Sequence, residues 1–289
     1  MHVSVLLAES LHYLNIQPNG TYVDATFGAG GHSAAILAAL DSGTLIAFDA
    51  DPSARARAEA MHDSRLQFVQ ANFRELDAQL DALGVTEIDG ILFDLGVSSM
   101  QLDERERGFS FSQSAPLDMR MNPYSGRSAY DVLAHAQESE LADIFYQYGE
   151  IRESRRLARA IVARREAGKL PTTTTDFAAF ISGLMQRTGR RERTHPATRA
   201  FQALRIAVND ELGALHEGLA AAIARMRAGG RIVAISFHSL EDRIVKQTLR
   251  GDERLHVLTK KPVIAGEAES AENPRSRSAK LRAAEKKAS

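Results

Sequence analysis

Four short runs of apolar and β-branched residues alternate with helical patterns in the N-terminal third of this chain. The runs lie at Thr21–Thr26, Thr44–Phe48, Leu66–Gln70 and Ile88–Leu95. Such alternation is typical of a doubly wound, Rossmann-like α/β fold, in which helices connect the strands of a parallel sheet. A further strand is predicted only at Arg231–Phe237, so the pattern indicates that another structure is inserted into the sheet domain.

The inserted second domain is predicted to be mostly helical. We expect it to span residues 107–199, with residues 1–106 and 200–289 forming a discontinuous sheet domain. The segment Asn273–Ser289 has no apolar periodicity and carries six basic residues against one acid. This composition predicts an exposed arm or a frayed end.

Two helices are predicted inside the insert. An amphipathic pattern covers Glu140–Lys169, and Pro171 follows it as a helix break. Thr175 or Asp176 is placed to cap a second helix that runs to about Arg187.

A glycine-rich segment is the strongest local motif. It reads Tyr22-Val23-Asp24-Ala25-Thr26-Phe27-Gly28-Ala29-Gly30-Gly31-His32-Ser33, where a predicted strand turns into a helix. Glycines there let the backbone approach a bound ligand closely. Asp49 ends the next predicted strand, the position of a carboxylate that accepts hydrogen bonds from the ribose hydroxyls of an adenosine. Together these features predict a nucleotide-type site, and the alternative is an ordinary tight turn.

The motif suits some adenosine cofactors better than others. A dinucleotide fingerprint has its third glycine where Ser33 stands, so a nicotinamide cofactor fits imperfectly. S-adenosylmethionine has no phosphate and needs a polar lip for its amino acid part, for which Asp24 and His32 are candidates. Its adenine needs an apolar slot beside a polar group, for which Phe73 after Asn72 is a candidate.

Three of these residues also have structural interpretations. Phe73 alone is typical of a core residue, and His32 suits an exposed first helical turn. Asp49 suits a helix cap before Pro52.

The ends of two predicted strands carry candidate catalytic residues. Asp94 ends the fourth strand and is followed by Ser98 and Ser99, at the carboxyl edge where open α/β sheets bind ligands. Asp94 and Ser98 are therefore candidates, with a helix cap as the alternative for Asp94. His238 follows the late strand at the same edge, either to orient a substrate or as a structural histidine.

Several classes of site and location are disfavoured by composition. The chain has no cysteine, which excludes disulfides, thiolate catalysis and cysteine-bound metals. His238, Glu241 and Asp242 have helical spacing that suits a metal, but no other ligand cluster accompanies them, so no metal is predicted. The start of the chain lacks a signal-peptide pattern, and no apolar stretch approaches a membrane span, which predicts a cytoplasmic protein.

Charge is divided unevenly along the chain. Residues 1–106 carry 5 basic and 16 acidic side chains, whereas residues 107–289 carry 31 and 21. This asymmetry predicts a polyanionic partner such as RNA, against the alternative that helix surfaces simply differ in charge. The arginines interpreted as phosphate contacts are Arg152, Arg155, Arg156, Arg159, Arg164, Arg165, Arg187, Arg190, Arg191 and Arg193. The structural alternative is a solvated face that pairs with Glu150, Glu153 and Glu166.

Longer motifs extend along nearly the whole chain. They are His2 with Val5-Leu6-Leu7, the glycine-rich segment, Asp94-Leu95-Gly96-Val97-Ser98-Ser99 with Gln101-Leu102-Asp103, Arg107-Gly108-Phe109-Ser110-Phe111, Pro116-Leu117-Asp118-Met119-Arg120-Met121, Tyr148-Gly149-Glu150, Arg159-Ala160-Ile161-Val162, His195-Pro196-Ala197-Thr198-Arg199, Ser236-Phe237-His238-Ser239-Leu240-Glu241-Asp242-Arg243 and Asn273-Pro274-Arg275-Ser276-Arg277-Ser278. In these motifs the chain resembles the MraW family of bacterial 16S ribosomal RNA cytosine-N4 methyltransferases. It departs from many relatives in a shorter connection between about Arg250 and Asn273.

The resemblance implies both a fold and a reaction. The fold would be that of class I S-adenosylmethionine methyltransferases, and the reaction would methylate N4 of a cytidine in the decoding (P-site) region of 16S rRNA. The implied partner is 16S rRNA within the small ribosomal subunit, recognised with the help of the helical insert. The implied cofactor contacts are Gly30, Gly31, His32, Asp49, Phe73, Asp94 and Gln101.

From the residues alone, two other classes stay open. One is a nicotinamide-dependent oxidoreductase, and the other is a non-enzymatic RNA-binding assembly protein. The oligomeric state also stays open.

Overall fold

The structure, a computed structural model, describes residues 4–186 and 195–288. Its contacts form two compact units. We call the described residues up to Gly96 and from Leu212 onward the sheet unit, and Val97–Glu211 the helical unit. The predicted insert, residues 107–199, falls within the range of the helical unit.

The described residues contain seven strands and thirteen α-helices. The strands are β1 (Thr21–Asp24), β2 (Thr44–Phe48), β3 (Leu66–Val69), β4 (Ile88–Asp94), β5 (Met226–Ser236), β6 (Leu255–Val257) and β7 (Lys280–Lys286). The helices are α1 (Leu7–Leu14), α2 (Gly31–Ala39), α3 (Ala54–Glu59), α4 (Leu76–Ala82), α5 (Ser99–Asp103), α6 (Ala129–His135), α7 (Glu138–Gln147), α8 (Ser154–Glu166), α9 (Thr174–Gln186), α10 (Pro196–Asn209), α11 (Glu211–Arg225), α12 (Ser239–Gly251) and α13 (Glu267–Glu272). No helix of the described residues is long and apolar enough to cross a membrane.

The strands form a single sheet in the order β3-β2-β1-β4-β5-β7-β6. Strands β1 to β5 pair in parallel, and β7 runs antiparallel to both β5 and β6. The first four strands begin at the predicted residues, and their parallel pairing confirms the predicted α/β class. Strand β5 begins earlier than predicted, at Met226.

Helices cover both faces of the sheet. On one face, Ile91 and Phe93 belong to a core that includes residues of α4, α11 and α12. On the other face, Leu92 belongs to a core that includes residues of α1 and α2. Burial on both faces explains why the predicted strands are continuous apolar runs rather than alternating ones.

The C-terminal segment is part of the sheet, so the predicted exposed arm is wrong. Strand β7 is largely buried between β5 and β6. The guanidinium of Arg282, only 6% exposed, donates to both carboxylate oxygens of Asp242, at 2.7 and 3.2 Å. Lys286 Nζ donates to the main-chain carbonyls of Ile223 and Met226. Because these basic groups are paired, a charged segment can fill an interior strand.

The helical unit has its own apolar core, formed by residues between Leu117 and Leu204. The amphipathic segment predicted over Glu140–Lys169 is helical, but it contains two separate helices, α7 and α8. Between them Glu150 adopts a left-handed conformation, with φ of 50°. The chain therefore reverses there and lets the apolar faces of both helices join one core.

Helix α9 has a different cap from the one predicted. The Thr173 hydroxyl accepts a hydrogen bond from the Asp176 main-chain N–H at 3.2 Å. Thr175 and Asp176 therefore lie inside the first turn, and the predicted cap is wrong. The predicted helix end at Arg187 lies outside the described residues.

Candidate active site

The glycine-rich turn follows β1 and leads into α2. Gly28 and Gly30 have φ angles of +54° and +83°, a region that L side chains rarely adopt. A Cβ on Gly30 would also collide with the side chains of Met61 and Phe27. The turn therefore needs glycine at this position for both conformation and space.

Asp49 fixes this turn from the end of β2. Its carboxylate accepts hydrogen bonds from the main-chain N–H groups of Gly28 and Asp51, each at 2.8 Å. The cap of α3 lies later, with Ser53 at the N-cap position, so the interpretation of Asp49 as a cap is wrong. Burial raises the pKa of Asp49 to about 6, partly offset by these two hydrogen bonds.

Asp24 lies too deep to form a polar lip for a ligand. Its side chain is fully buried and accepts hydrogen bonds from the Ser33 hydroxyl at 2.6 Å and the Thr26 N–H at 3.1 Å. The expectation that Asp24 faces a ligand is therefore wrong. The hydroxyl of Ser33, at the position of a third fingerprint glycine, serves to hold Asp24.

His32 and Asp94 lie together at the carboxyl edge of the sheet. The His32 ring is buried, so the interpretation as an exposed residue is wrong. Its Nδ1 lies 3.5 Å from Asp94 Oδ2, and its Nε2 lies 3.1 Å from the Val5 carbonyl oxygen. Asp94 itself is positioned by its main-chain N–H, which donates to the Thr26 hydroxyl at 2.7 Å.

One oxygen of the Asp94 carboxylate is buried without a hydrogen-bond partner among the described residues. This oxygen is Oδ1, and the side chain as a whole is 26% exposed. Burial raises the pKa of Asp94 to about 6, and the nearby His32 opposes this shift. A buried acceptor without a donor is costly, so the site suits a ligand that brings an N–H group.

Phe73 has a structural contact in the sheet unit. Its ring is partly buried and meets Phe93 edge to face, with centroids 5.5 Å apart. The Asn72 side chain accepts from the Arg74 N–H at 3.0 Å and caps the short turn that holds Phe73. The contact of Phe73 with an adenine stays a prediction.

Ser98 and Gln101 belong to the helical unit and form a capping box at the start of α5. The Gln101 N–H donates to the Ser98 hydroxyl at 3.2 Å, and the Ser98 N–H donates to Gln101 Oε1 at 3.0 Å. The spacing of serine and glutamine three residues apart is a recognisable capping signal that sequence reasoning missed. Their roles toward substrate and cofactor stay predictions.

His238 caps α12 in the sheet unit. Its Nδ1 accepts from the Glu241 main-chain N–H at 3.4 Å, and its Nε2 lies 3.0 Å from Glu241 Oε1. Glu241 is 2% exposed and accepts from the main-chain N–H groups of Phe237 and His238. Asp242, the third residue of the spacing considered for a metal, pairs with Arg282 instead.

Arg275 affects the charge state of Asp94, and the strand patterns in the sequence do not indicate this residue. It lies in the short turn before β7, and its charge favours the ionised form of Asp94, whereas Glu241 disfavours it. Only the motif Asn273–Ser278 pointed to this segment. Its position depends on β7 entering the sheet, which sequence periodicity did not show.

Some of the arginines predicted to contact phosphate also contribute to folding. Arg165 donates to the Ala136 carbonyl at 2.8 Å, and Arg164 lies over the Phe180 ring at 5.2 Å, so both contribute to folding. The arginines on α8 and just before it that are exposed are Arg152, Arg155, Arg156, Arg159 and also Arg164, whose guanidinium both contacts Phe180 and reaches solvent. Arg159 pairs loosely with Glu138 at 3.8 Å. The predicted contacts Arg187, Arg190, Arg191 and Arg193 lie outside the described residues.

Comparison with known proteins finds relatives that match nearly the whole chain. The model of the MraW methylase family matches residues 1–287. A ribosomal RNA small subunit methyltransferase H from Acidobacterium capsulatum is 50% identical over 297 residues, covering 99% of this chain and 98% of the relative. The protein of that name from Acaryochloris marina is 52% identical over 289 residues, covering 99% and 94%. A solved rRNA methylase from Streptococcus thermophilus aligns over the whole of both chains at 12% identity, with a TM-score of 0.46.

Proposed function

Since the chain belongs to the MraW methylase family, whose methyl donor is S-adenosylmethionine, we propose that it methylates N4 of a cytidine in the decoding (P-site) region of 16S rRNA. The names of its relatives support ribosomal RNA of the small subunit as the substrate. The helical unit would help to recognise that RNA.

One observation carries the proposal for the site: the buried, unpartnered Oδ1 of Asp94 beside the glycine turn. Asp49 adds a second carboxylate just after β2, which lies on the other side of β1 from β4. Two acids suit a ligand that brings an ammonium group and ribose hydroxyls, because both can donate hydrogen bonds to carboxylate oxygens. The site residues therefore fit S-adenosylmethionine.

The residues proposed to contact the cofactor begin with the glycine turn and Asp49. Gly30 and Gly31 would approach it through the backbone, and Asp49 would accept hydrogen bonds from the ribose hydroxyls. The complete set is Gly30, Gly31, His32, Asp49, Phe73, Asp94 and Gln101.

The acceptor amine determines what the protein must do. S-adenosylmethionine supplies a methyl group already activated on a sulfonium. Cytosine N4 is a poor nucleophile because its lone pair is delocalised into the ring, so acceptors must hold its hydrogens and orient the lone pair. We assign this orientation to Asp94 and Ser98 with nearby main-chain carbonyls.

The proton is easily lost after methyl transfer, because the product nitrogen is then cationic and acidic. Water can accept this proton, so no single residue need be the base. His238 is assigned to orient the base or receive the proton, in addition to capping α12. RNA bases in a duplex are hard to reach, so the target would be unstacked before it enters the site.

The other two classes are disfavoured. Membership of a methylase family argues against a nicotinamide-dependent oxidoreductase, as does the buried Ser33 in place of a third glycine. A non-enzymatic assembly protein would not need a buried, unpartnered carboxylate oxygen at a strand tip.

The proposed reaction can be tested by mass spectrometry of nucleosides. Small subunits from cells that lack this protein would be incubated with the purified protein and S-adenosylmethionine. We expect N4-methylcytidine to appear in 16S rRNA at one position in the decoding region. Methylation of another atom would refute the proposed target, and no label transfer would favour the assembly protein.

Ser98 can be separated from its role as a cap. Ser98→Ala and Ser128→Ala each remove one capping box of the helical unit, from α5 and α6 respectively. We expect each to lower the free energy of unfolding by about 1 kcal/mol. Only Ser98→Ala should slow single-turnover methyl transfer, by about tenfold or more. Equal transfer rates in the two variants would assign Ser98 to folding alone.

The exposed arginines of α8 predict a salt-dependent interaction with RNA. Replacing Arg155 and Arg156 with glutamine should weaken subunit binding. It should also lower the slope of log affinity against log salt by up to about 2, because each lost phosphate contact contributes about 0.7–0.9. Arg254→Gln is the matched control, since Arg254 is exposed in the sheet unit and paired with Asp252. A binding constant that does not vary with salt in the unmodified protein would contradict this role.

A further inference from the structure

The N-terminal segment before α1 determines where His32 carries its proton. His32 Nε2 lies 3.1 Å from the Val5 carbonyl oxygen. A carbonyl can only accept, so Nε2 must be the protonated nitrogen. In a neutral ring, Nδ1 then has a bare lone pair.

That lone pair faces a second acceptor. Nδ1 lies 3.5 Å from Asp94 Oδ2, and the His32 side chain is only 6% exposed. A lone pair held against a carboxylate oxygen away from water is unfavourable unless a proton lies between them. The geometry therefore favours one proton between the two side chains, carried by either Nδ1 or Oδ2, at a separation longer than that of a normal hydrogen bond.

The main chain of the N-terminal segment is held in an uncommon conformation. Leu6 is fully buried with φ of 51°, a strained value for leucine. Its N–H donates to Glu269 Oε1 at 2.8 Å, and its carbonyl accepts from the Ser10 hydroxyl at 2.7 Å. These bonds keep the preceding carbonyl, that of Val5, directed at His32.

We propose that His32 is a positioning residue that holds one proton between its Nδ1 and Asp94 Oδ2. The Val5 carbonyl fixes the tautomer of His32. Asp94 is thereby kept able to accept an N–H group through Oδ1. This inference rests on the proposed function for the identity of the ligand. His32 acts through Asp94, so its side chain need not touch the reacting atoms.

The other charges around Asp94 define what His32 contributes. Asp24 on β1 and Glu241 on α12 disfavour the ionised carboxylate, and Arg275 before β7 favours it. Burial, the largest influence, raises the pKa of Asp94, and His32 opposes this more than Arg275 does. Loss of the imidazole should therefore raise the pKa of Asp94 further.

The first test examines the tautomer in the complete wild-type protein without ligand. Nitrogen-15 NMR of the imidazole should show His32 protonated at Nε2, with Nδ1 shifted away from the resonance of a free lone pair. A single proton on Nδ1, or a fully bare Nδ1 at neutral pH, would overturn the proposal. This measurement does not depend on the folding of any variant.

The second test uses two substitutions that keep different parts of the imidazole. Gln at position 32 (H32Q) places a donor near the Val5 carbonyl but leaves nothing at Nδ1. Asn (H32N) places a donor near Asp94 but does not reach Val5. The probe is S-adenosylhomocysteine, whose affinity is measured by calorimetry across the range from pH 5 to 8. His12→Gln is the matched control, because His12 is exposed on α1.

The expected result is a change in pH dependence. In H32Q the midpoint at which affinity falls on acidification should move upward by at least about one pH unit. H32N should move less, because its amide can still donate to Asp94, and H12Q should not move. Asp49 titrates in the same range in all four proteins, so the difference between variants is the deciding quantity.

Failure of the two ideas is distinguishable. If wild-type protein binds S-adenosylhomocysteine and methylates rRNA but H32Q has an unchanged midpoint, the inference about His32 is wrong and the proposed function stands. If wild-type protein does not bind the probe, the proposed function fails, and the NMR measurement alone decides whether His32 and Asp94 share a proton.

Discussion

Replacing Asp49 with alanine is expected to lower the affinity for S-adenosylmethionine by at least about 100-fold, because two hydrogen bonds to a charged acceptor are each worth about 1.5–3 kcal/mol. The carboxylate already orders the glycine turn through the Gly28 N–H. The substitution would therefore remove the ribose acceptor and loosen the turn that approaches the cofactor. Calorimetric titration of the purified variant measures the effect.

Asp41→Ala is the control for this prediction. Asp41 is exposed just after α2, so its loss should leave the affinity unchanged. Thermal melting of both variants checks that they are folded at the temperature of the titration. Wild-type affinity in a folded Asp49→Ala variant would remove Asp49 from the cofactor site.

Asp94→Asn should slow methyl transfer by about 100-fold to 1000-fold, the usual effect of removing one oriented hydrogen-bonding group from an active site. The amide keeps the shape of the carboxylate but loses its charge and one acceptor. Single-turnover transfer to small subunits measures the rate directly. A normal rate would show that the Asp94 carboxylate does not orient the amine.

The same variant should be more stable than the wild type at alkaline pH. The pKa of Asp94 is raised by burial to about 6 from 3.8, so the ionised side chain destabilises the folded state. This cost, up to about 3 kcal/mol, is complete above about pH 6 and disappears as pH falls toward 4. Asp94→Asn should therefore unfold at higher urea than wild type at pH 8, and this advantage should fall to about half at pH 5. Lower stability at both pH values would contradict this account.

The parallel part of the sheet was predictable because its strands are buried on both faces. Continuous apolar runs such as Ile88–Leu95 cannot be explained by a half-exposed strand. Strand β7 was not predictable in this way, since its sequence Lys-Leu-Arg-Ala-Ala-Glu-Lys has the composition of an exposed helix. Its burial depends on partners distant in sequence, among them Asp242 for Arg282.

The break between α7 and α8 was also not predictable from the sequence pattern. Gly149 gave a local signal, but the helical pattern continued beyond it. A Cβ at Gly149 would collide with the main-chain carbonyls of Phe145 and Arg199, so tertiary packing requires glycine there. Contacts of this kind, made by residues far apart in the chain, override helical propensity.

The part of the candidate site that lies at strand ends was predictable from the sequence. Asp49 and Asp94 both follow from the rule that ligands bind at the carboxyl edge of a parallel sheet. The burial of Asp24 and His32 was not predictable, because it depends on Ser33 and on the N-terminal segment. Periodicity contains no information on which way a side chain at a turn will face.

The late position of β7 in the chain has a consequence for biosynthesis. Its first residue, Lys280, pairs with Ser236 at the end of β5, 44 residues earlier. While the ribosome is still adding those residues, β5 has an open apolar edge, and such an edge can recruit strands from other nascent chains. Strand β5 gains its second neighbour, β7, only when this segment has left the exit tunnel. Translation in which chaperones protect that edge should therefore give a higher yield of native protein than translation without them.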